Sequence, residues 1–71
     1  MEAKITQIIS EILNEKVSVN SDINNTNNWD SLAHLNIFMA LENEFNVEFS
    51  PDEISNVKSI KDIVNLLKEK L

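Results

Sequence analysis

The sequence predicts an all-α fold: a small helical bundle with three principal helices, a short extra helix between the second and the last, and a long loop after the first. Three observations carry that prediction. Apolar residues recur at helical spacing in three separate stretches. Glycine is absent and proline occurs once, so tight β-turns and hairpins lack the residues that build them. Asp30, Ser50-Pro51-Asp52-Glu53 and Ser59 each stand where a periodic stretch begins, with the side chains that cap helix starts.

The first helix is expected over about Glu2 to Asn14. Ile5, Ile8, Ile9, Ile12 and Leu13 form one stripe, and Glu11 and Glu15 lie off it. Isoleucine is a mediocre helix former, so packing has to hold this helix. The connection that follows runs to Asp30. Its Val17, Val19 and Ile23 are expected to tuck onto the bundle, and its simplest task is to cross from one end of the bundle to the other.

The second helix is expected over about Ser31 to Asn46, with Asp30 as N-cap. His34, Ile37, Phe38, Leu41 and Phe45 share one face, with Leu35 at its border. Leu32 and Met39 fall together on another face, about 150° from the centre of the core stripe. The core does not require that narrow strip. Ser50, Pro51 and Glu53 form a capping box with proline at the first helical position, opening a short helix with Ile54 and Val57 on its apolar side. Ser59 opens the last helix, whose stripe is Ile60, Ile63, Val64, Leu67 and Leu71. Asp62 near its start and Lys68 and Lys70 near its end suit the helix dipole.

Composition narrows the function. A chain of 71 residues makes one domain with a thin core. There is no cysteine and a single histidine, which excludes disulfides, thiolate metal sites and histidine-rich metal sites. The net charge is −6, from 12 acids against 6 lysines and no arginine. That disfavours nucleic acid, which needs a basic face, and favours a basic protein partner. The start of the chain lacks a signal-peptide run, and no stretch approaches bilayer-spanning length, so the expectation is a cytoplasmic protein with no membrane insertion.

The most informative residues are Asp30-Ser31-Leu32, at the junction of the asparagine-rich loop and the second helix. Ser31 is expected to expose its hydroxyl. It has no hydrolase elbow and no nearby base, so it is not a nucleophile by itself. An exposed serine at a helix start in an acidic chain without catalytic apparatus suggests a serine that another enzyme modifies. His34 is expected beside the core near the loop, with no partner constellation for catalysis.

The long loop, Asp30-Ser31-Leu32, the helix ending in Met39-Ala40-Leu41-Glu42-Asn43-Glu44-Phe45, and Ser50-Pro51-Asp52-Glu53 together resemble the acyl carrier protein family. The likeness extends to the wider set of phosphopantetheine-binding carrier domains, peptidyl and aminoacyl carriers included. It covers essentially the whole chain, so residues 1–71 are expected to form a single acyl-carrier-like domain.

The resemblance implies that Ser31 carries 4′-phosphopantetheine, placed there from coenzyme A by a phosphopantetheinyl transferase. The arm's thiol then holds acyl groups as thioesters, and the chain shuttles them between enzymes without catalysing anything. A phosphodiester at a helix start meets the positive end of the dipole and free N–H groups. The resemblance also implies partner recognition by Asp30, Leu32, Met39, Glu42 and Glu44, against apolar or basic patches of acyl- or aminoacyl-loading and transfer enzymes. An exposed Trp29 beside the serine is expected to give the modifying enzyme a further anchor.

Two departures bear on the pathway. Typical fatty-acid carriers have glycine before Asp-Ser-Leu, where Trp29 stands here. They bear acids soon after the motif, where Ala33, His34 and Asn36 stand here. The front of the recognition helix is nearly neutral, which points to a specialised carrier more than to a housekeeping role in fatty-acid biosynthesis. The carrier is expected to be free-standing and monomeric. The alternatives are an aminoacyl or peptidyl carrier of a secondary pathway, and a small helical interaction module without a prosthetic group. Ile8, Ile12, Phe38, Leu41, Phe45, Ile63 and Leu67 either line a pliable space for an acyl chain or simply pack together. The bulk of Phe38 and Phe45 favours a filled core.

Overall fold

The computed structural model describes all 71 residues. Four helices follow in order: α1 (Glu2–Leu13), α2 (Ser31–Phe45), α3 (Pro51–Asn56) and α4 (Ile60–Lys70). No strand forms, and no helix is long and apolar enough to cross a membrane. The expected three long helices and one short one are all present.

Helix α1 buries Ile5, Ile9 and Leu13 and packs on α2 and α4. Ile8 and Ile12 flank the same stripe, half-buried. The helix stops at Asn14, which turns left-handed at φ 51°. There the Asn14 N–H donates to the Glu11 carbonyl, and the Glu15 N–H reaches back to that of Ser10. A glycine usually fills such a position because it has no Cβ to clash. With no glycine available, asparagine does so, its side chain being the most tolerant of that region. Helix α2 ends the same way at Asn46, φ 55°.

The loop from Lys16 to Asp30 has little regular structure, yet many of its polar groups pair within the chain. Asp22 Oδ1 accepts the N–H groups of Asn24 and Asn25 at 2.8 and 2.9 Å, and Asn25 Oδ1 accepts the Asp22 N–H. One end is pinned to the α3–α4 junction by a short antiparallel bridge: the Ile23 N–H donates to the Lys58 carbonyl and the Ile60 N–H to that of Ser21, each at 3.0 Å. The other end is pinned to the end of α1. The Glu15 carboxylate accepts the N–H groups of Asn27 and Asn28, and the Asn28 amide donates to the Leu13 carbonyl at 2.8 Å. Val17 is buried and Ile23 half-buried, as expected. Val19 is exposed instead, in a turn of the loop.

Helix α2 buries Ile37, Phe38 and Leu41, flanked by half-buried His34 and Phe45. Helix α3 has no fully buried residue and is held at its ends. Its capping box forms as the sequence predicts, the Glu53 N–H donating to Ser50 Oγ at 3.1 Å and the Ser50 N–H to Glu53 Oε1 at 2.8 Å. Lys70 of α4 pairs with Glu53 at 3.0 Å. Helix α4, capped by Ser59 on the Asp62 N–H, buries Ile60, Ile63, Val64 and Leu67. One apolar cluster joins all these stripes, and each fully buried aliphatic side chain in it contributes about 1.5–3 kcal/mol.

Candidate functional site

Asp30 and Ser31 divide the work at the start of α2. Asp30 is extended, and its Oδ1 accepts the Ala33 N–H at 2.8 Å, so the cap is made by the aspartate. Ser31 is the first residue of the helix, exposed, and its hydroxyl is not needed for capping. The Ser31 and Leu32 N–H groups have no partner within the chain. Four orphan N–H groups are the usual condition of a helix start, and two remain here for an anion.

Ser31 sits on the rim of a groove of about 790 Å³ between the loop, the start of α2 and α3. Ile23, Leu35, Ile54 and Val57 supply apolar wall, and Asp30, Ser55 and Lys58 are polar members of the lining. The Lys58 ammonium donates to the Ser55 carbonyl at 3.1 Å. Nothing in the sequence pattern connects Ile23, Ile54 and Lys58 to Ser31. They come together only because the loop is bridged to the α3–α4 junction.

The floor of the groove corrects one expectation. Trp29 is not exposed: only 5 % of its surface meets solvent. Its indole lies against the His34 ring, 6.0 Å between centroids, and its Nε1–H donates to His34 Nδ1 at 2.9 Å. The indole N–H can only donate, so His34 Nδ1 accepts. The His34 hydrogen therefore sits on Nε2, which donates to the Ile54 carbonyl at 2.7 Å. A large aromatic gains most from burial, and a side chain of α2 that accepts from the indole lets it go inside without leaving its N–H unpaired. His34 lies beside the core as the sequence predicts. Its role as a bridge from Trp29 to α3 was not legible from sequence. The only available signal was its place as the sole imidazole in the chain, five residues after the sole indole.

Leu32 is 68 % and Met39 61 % exposed, on the strip the sequence assigns to solvent. Leu35, expected at the core border, joins them at 52 %. At one helical turn of 3.6 residues these three line a single stripe. The acids of α2 are engaged elsewhere. Glu42 is half-buried, and its carboxylate accepts the Phe49 N–H at 2.9 Å, tying the α2–α3 loop to the helix. Glu44 is exposed and pairs with Lys4 of α1 at 3.2 Å. The Glu53 carboxyl is held below its usual range, first by the Ser50 N–H and then by Lys70. No three acidic or histidine side chains converge as a metal site would require.

The exposed serine at a helix start, the aspartate that leaves it free, and the adjoining groove in a bundle of this topology define a carrier domain. Residues 3–67 match the family model described as the phosphopantetheine attachment site. An acyl carrier protein from Petrotoga mobilis is 32% identical over 96% of this chain and 84% of its own length. One from Buchnera aphidicola is 32% identical over 97% of this chain and 92% of its own. Among solved structures, the acyl carrier protein of Thermotoga maritima superposes with a TM-score of 0.79 at 27% identity, covering 96% of this chain and 82% of that one. The holo acyl carrier protein of Geobacter metallireducens, at 24% identity, shares the fold with a TM-score of 0.85, covering 97% of this chain and 83% of that one. The chain belongs to the acyl carrier protein family. Its cofactor is 4′-phosphopantetheine, and it is a non-catalytic carrier.

The residues at the start of α2 fit that group. A phosphodiester held there would face two unpartnered N–H groups and the positive end of a 15-residue helix with no acid in its first turn. When bound, the arm supplies a thiol for thioester chemistry, so the protein itself needs no acid or base.

Proposed function

We propose that Ser31 is the attachment residue for 4′-phosphopantetheine and that the chain, folding as one carrier domain over residues 1–71, presents acyl thioesters to partner enzymes of a specialised pathway. The observation that carries this is the free Ser31 hydroxyl at the first position of α2, beside an aspartate that already caps the helix. A phosphopantetheinyl transferase modifies Ser31, and loading and transfer enzymes then dock on the face around it. The docking contacts are the apolar stripe of Leu32 and Met39, extended by Leu35, together with Asp30. Glu44 adds a charge at the far end of the helix. Glu42 contributes less, because its carboxylate already holds the Phe49 N–H. Trp29 acts from beneath, as support for the surface that a partner touches.

The neutral front of α2 supports the specialised role. Fatty-acid enzymes with basic patches find no acid in its first turn, and only apolar contact is offered next to the serine. We place the protein in the cytoplasm, where coenzyme A and the transferase meet it, as a monomer whose apolar stripe serves transient partners.

Incubation with coenzyme A and a broad-specificity transferase, read by intact mass, tests the attachment. The parent should gain one arm. Ser31→Ala should gain none and keep its helical circular dichroism, since the cap belongs to Asp30. An adduct on the alanine variant, or none on the parent with several transferases, would sink the reading.

A further inference from the structure

We propose that acyl groups carried by this protein lie in the surface groove beside Ser31 and are kept out of the core by the Trp29–His34–Ile54 hydrogen-bond bridge, which suits the carrier to short acyl groups. The inference rests on Ser31 being the attachment residue.

A tail tethered at Ser31 has two ways to leave water. It can lie along the groove, or it can pass between α2 and α3 into the core. The second way is obstructed. Trp29 and His34 floor the groove, and His34 joins the two sides, accepting from the indole at 2.9 Å and donating to the α3 carbonyl at 2.7 Å. Behind His34 lies Phe38, 5.1 Å away between ring centroids and 1 % exposed. Phe38 in turn meets Phe49 edge-on at 5.0 Å. A tail entering here would have to part both part-buried hydrogen bonds as well as separate the ring contacts. The groove imposes no such cost. Leu35, Ile54 and Val57 cover a few carbons, and Ser55 and Lys58 stay hydrated at its polar part. A long tail overruns that apolar patch into water, which the hydrophobic effect disfavours in proportion to the uncovered length.

Acyl groups installed on the apo protein by a transferase, from butyryl- and dodecanoyl-coenzyme A, test this. Intact mass first establishes the adduct on Ser31. Methyl carbon–proton spectra then separate the two locations. Both acyl groups should shift Leu35 and Ile54. Ile9, Leu41 and Ile63 should stay where the arm alone leaves them. The dodecanoyl thioester should be cleaved by hydroxylamine as fast as the butyryl one, since neither is sheltered. His34→Ala removes both hydrogen bonds, and in it the dodecanoyl group should shift Leu41 and Ile63. Should that variant unfold, Trp29→Phe removes one bond and keeps an aromatic ring, and the same core signals should move by less. Shifts of Leu41 and Ile63 in the unaltered dodecanoyl protein would overturn the inference alone. Core signals equally silent in a folded variant would overturn the part assigned to the bridge. No adduct on Ser31 would overturn the carrier reading as well.

Discussion

The front and back of α2 use their surface side chains in opposite ways. The front, Ser31 to Met39, presents Leu32, Leu35 and Met39 to solvent and has no acid. The back, Ala40 to Phe45, has both acids of the helix. One is spent on the Phe49 N–H and the other on Lys4. The difference teaches that negative charge on this helix is not by itself a docking signal. With both acids already partnered within the chain, the docking proposed above rests mainly on the apolar stripe nearer the serine. Under the proposed docking, a partner reads shape and apolar area first.

The largest effect should come from crossing from the outer stripe to the inner one. Leu41→Ala, on the buried face, should cost about 2–5 kcal/mol in urea unfolding, while Leu32→Ala and Met39→Ala should stay within about 0.5 kcal/mol. Both exposed variants should nevertheless lower the transferase kcat/KM on Ser31 by about fivefold or more, the scale of a contact worth 1 kcal/mol. Large destabilisation by either would mean the helix is rotated from the register seen here. Unchanged kinetics would make the stripe incidental.

Glu42→Ala should come next. It leaves the Phe49 N–H without its acceptor, at about 1–3 kcal/mol in the same unfolding measurement. A modification rate that falls while stability holds would mean that Glu42 is a docking residue after all, and the contrast between the halves would fail.

Smaller still is the exposed pair at the back. Lys4→Ala should change stability by no more than about 1 kcal/mol, with an effect that fades in salt. It also frees Glu44, so a partner with a basic patch should associate faster with that variant at low ionic strength. An association rate indifferent to both salt and Lys4 would show that Glu44 takes no part in docking.

The smallest effect concerns acid. The Glu53 carboxyl titrates lower when folded than when unfolded. Its contribution is therefore complete above its unfolded pKa and is lost as pH falls through the folded value. Glu53→Gln should flatten the acid limb of the melting profile below about pH 4.5 and change the neutral plateau little, the Lys70 pair being partly open to solvent. A steeper acid limb in the variant would contradict the direction of the shift.

Much of this was legible in the sequence because it is local. Helix starts at Asp30, Ser50 and Ser59 depend on side chains that reach only three residues ahead, and all three caps form. The buried stripes follow from a fixed 3.6-residue period. Exposure of Leu32 and Met39 followed from the same arithmetic, and that of Ser31 from its place where the loop becomes a helix. Trp29 was misread because it lies in a loop, where no period says which way a side chain points. The helix ends at Asn14 and Asn46 were placed within one residue, but the left-handed turn that makes each of them was not foreseen without a glycine to mark it.

The sequence by itself thus determined the helices, their caps, the inner and outer faces of α2, and the free serine at its start, since each depends on neighbours within one or two turns. Only the tertiary structure decided that Trp29 goes inside, that His34 bridges it to α3, that Glu42 is occupied, and that Ile23, Ile54 and Lys58 meet Ser31 around one groove. Those outcomes join residues up to 39 positions apart, from Ser21 to Ile60 at the bridge that pins the loop. Hydrogen bonds and packing across such separations are set by how the helices settle on one another, and no pattern along the chain encodes that.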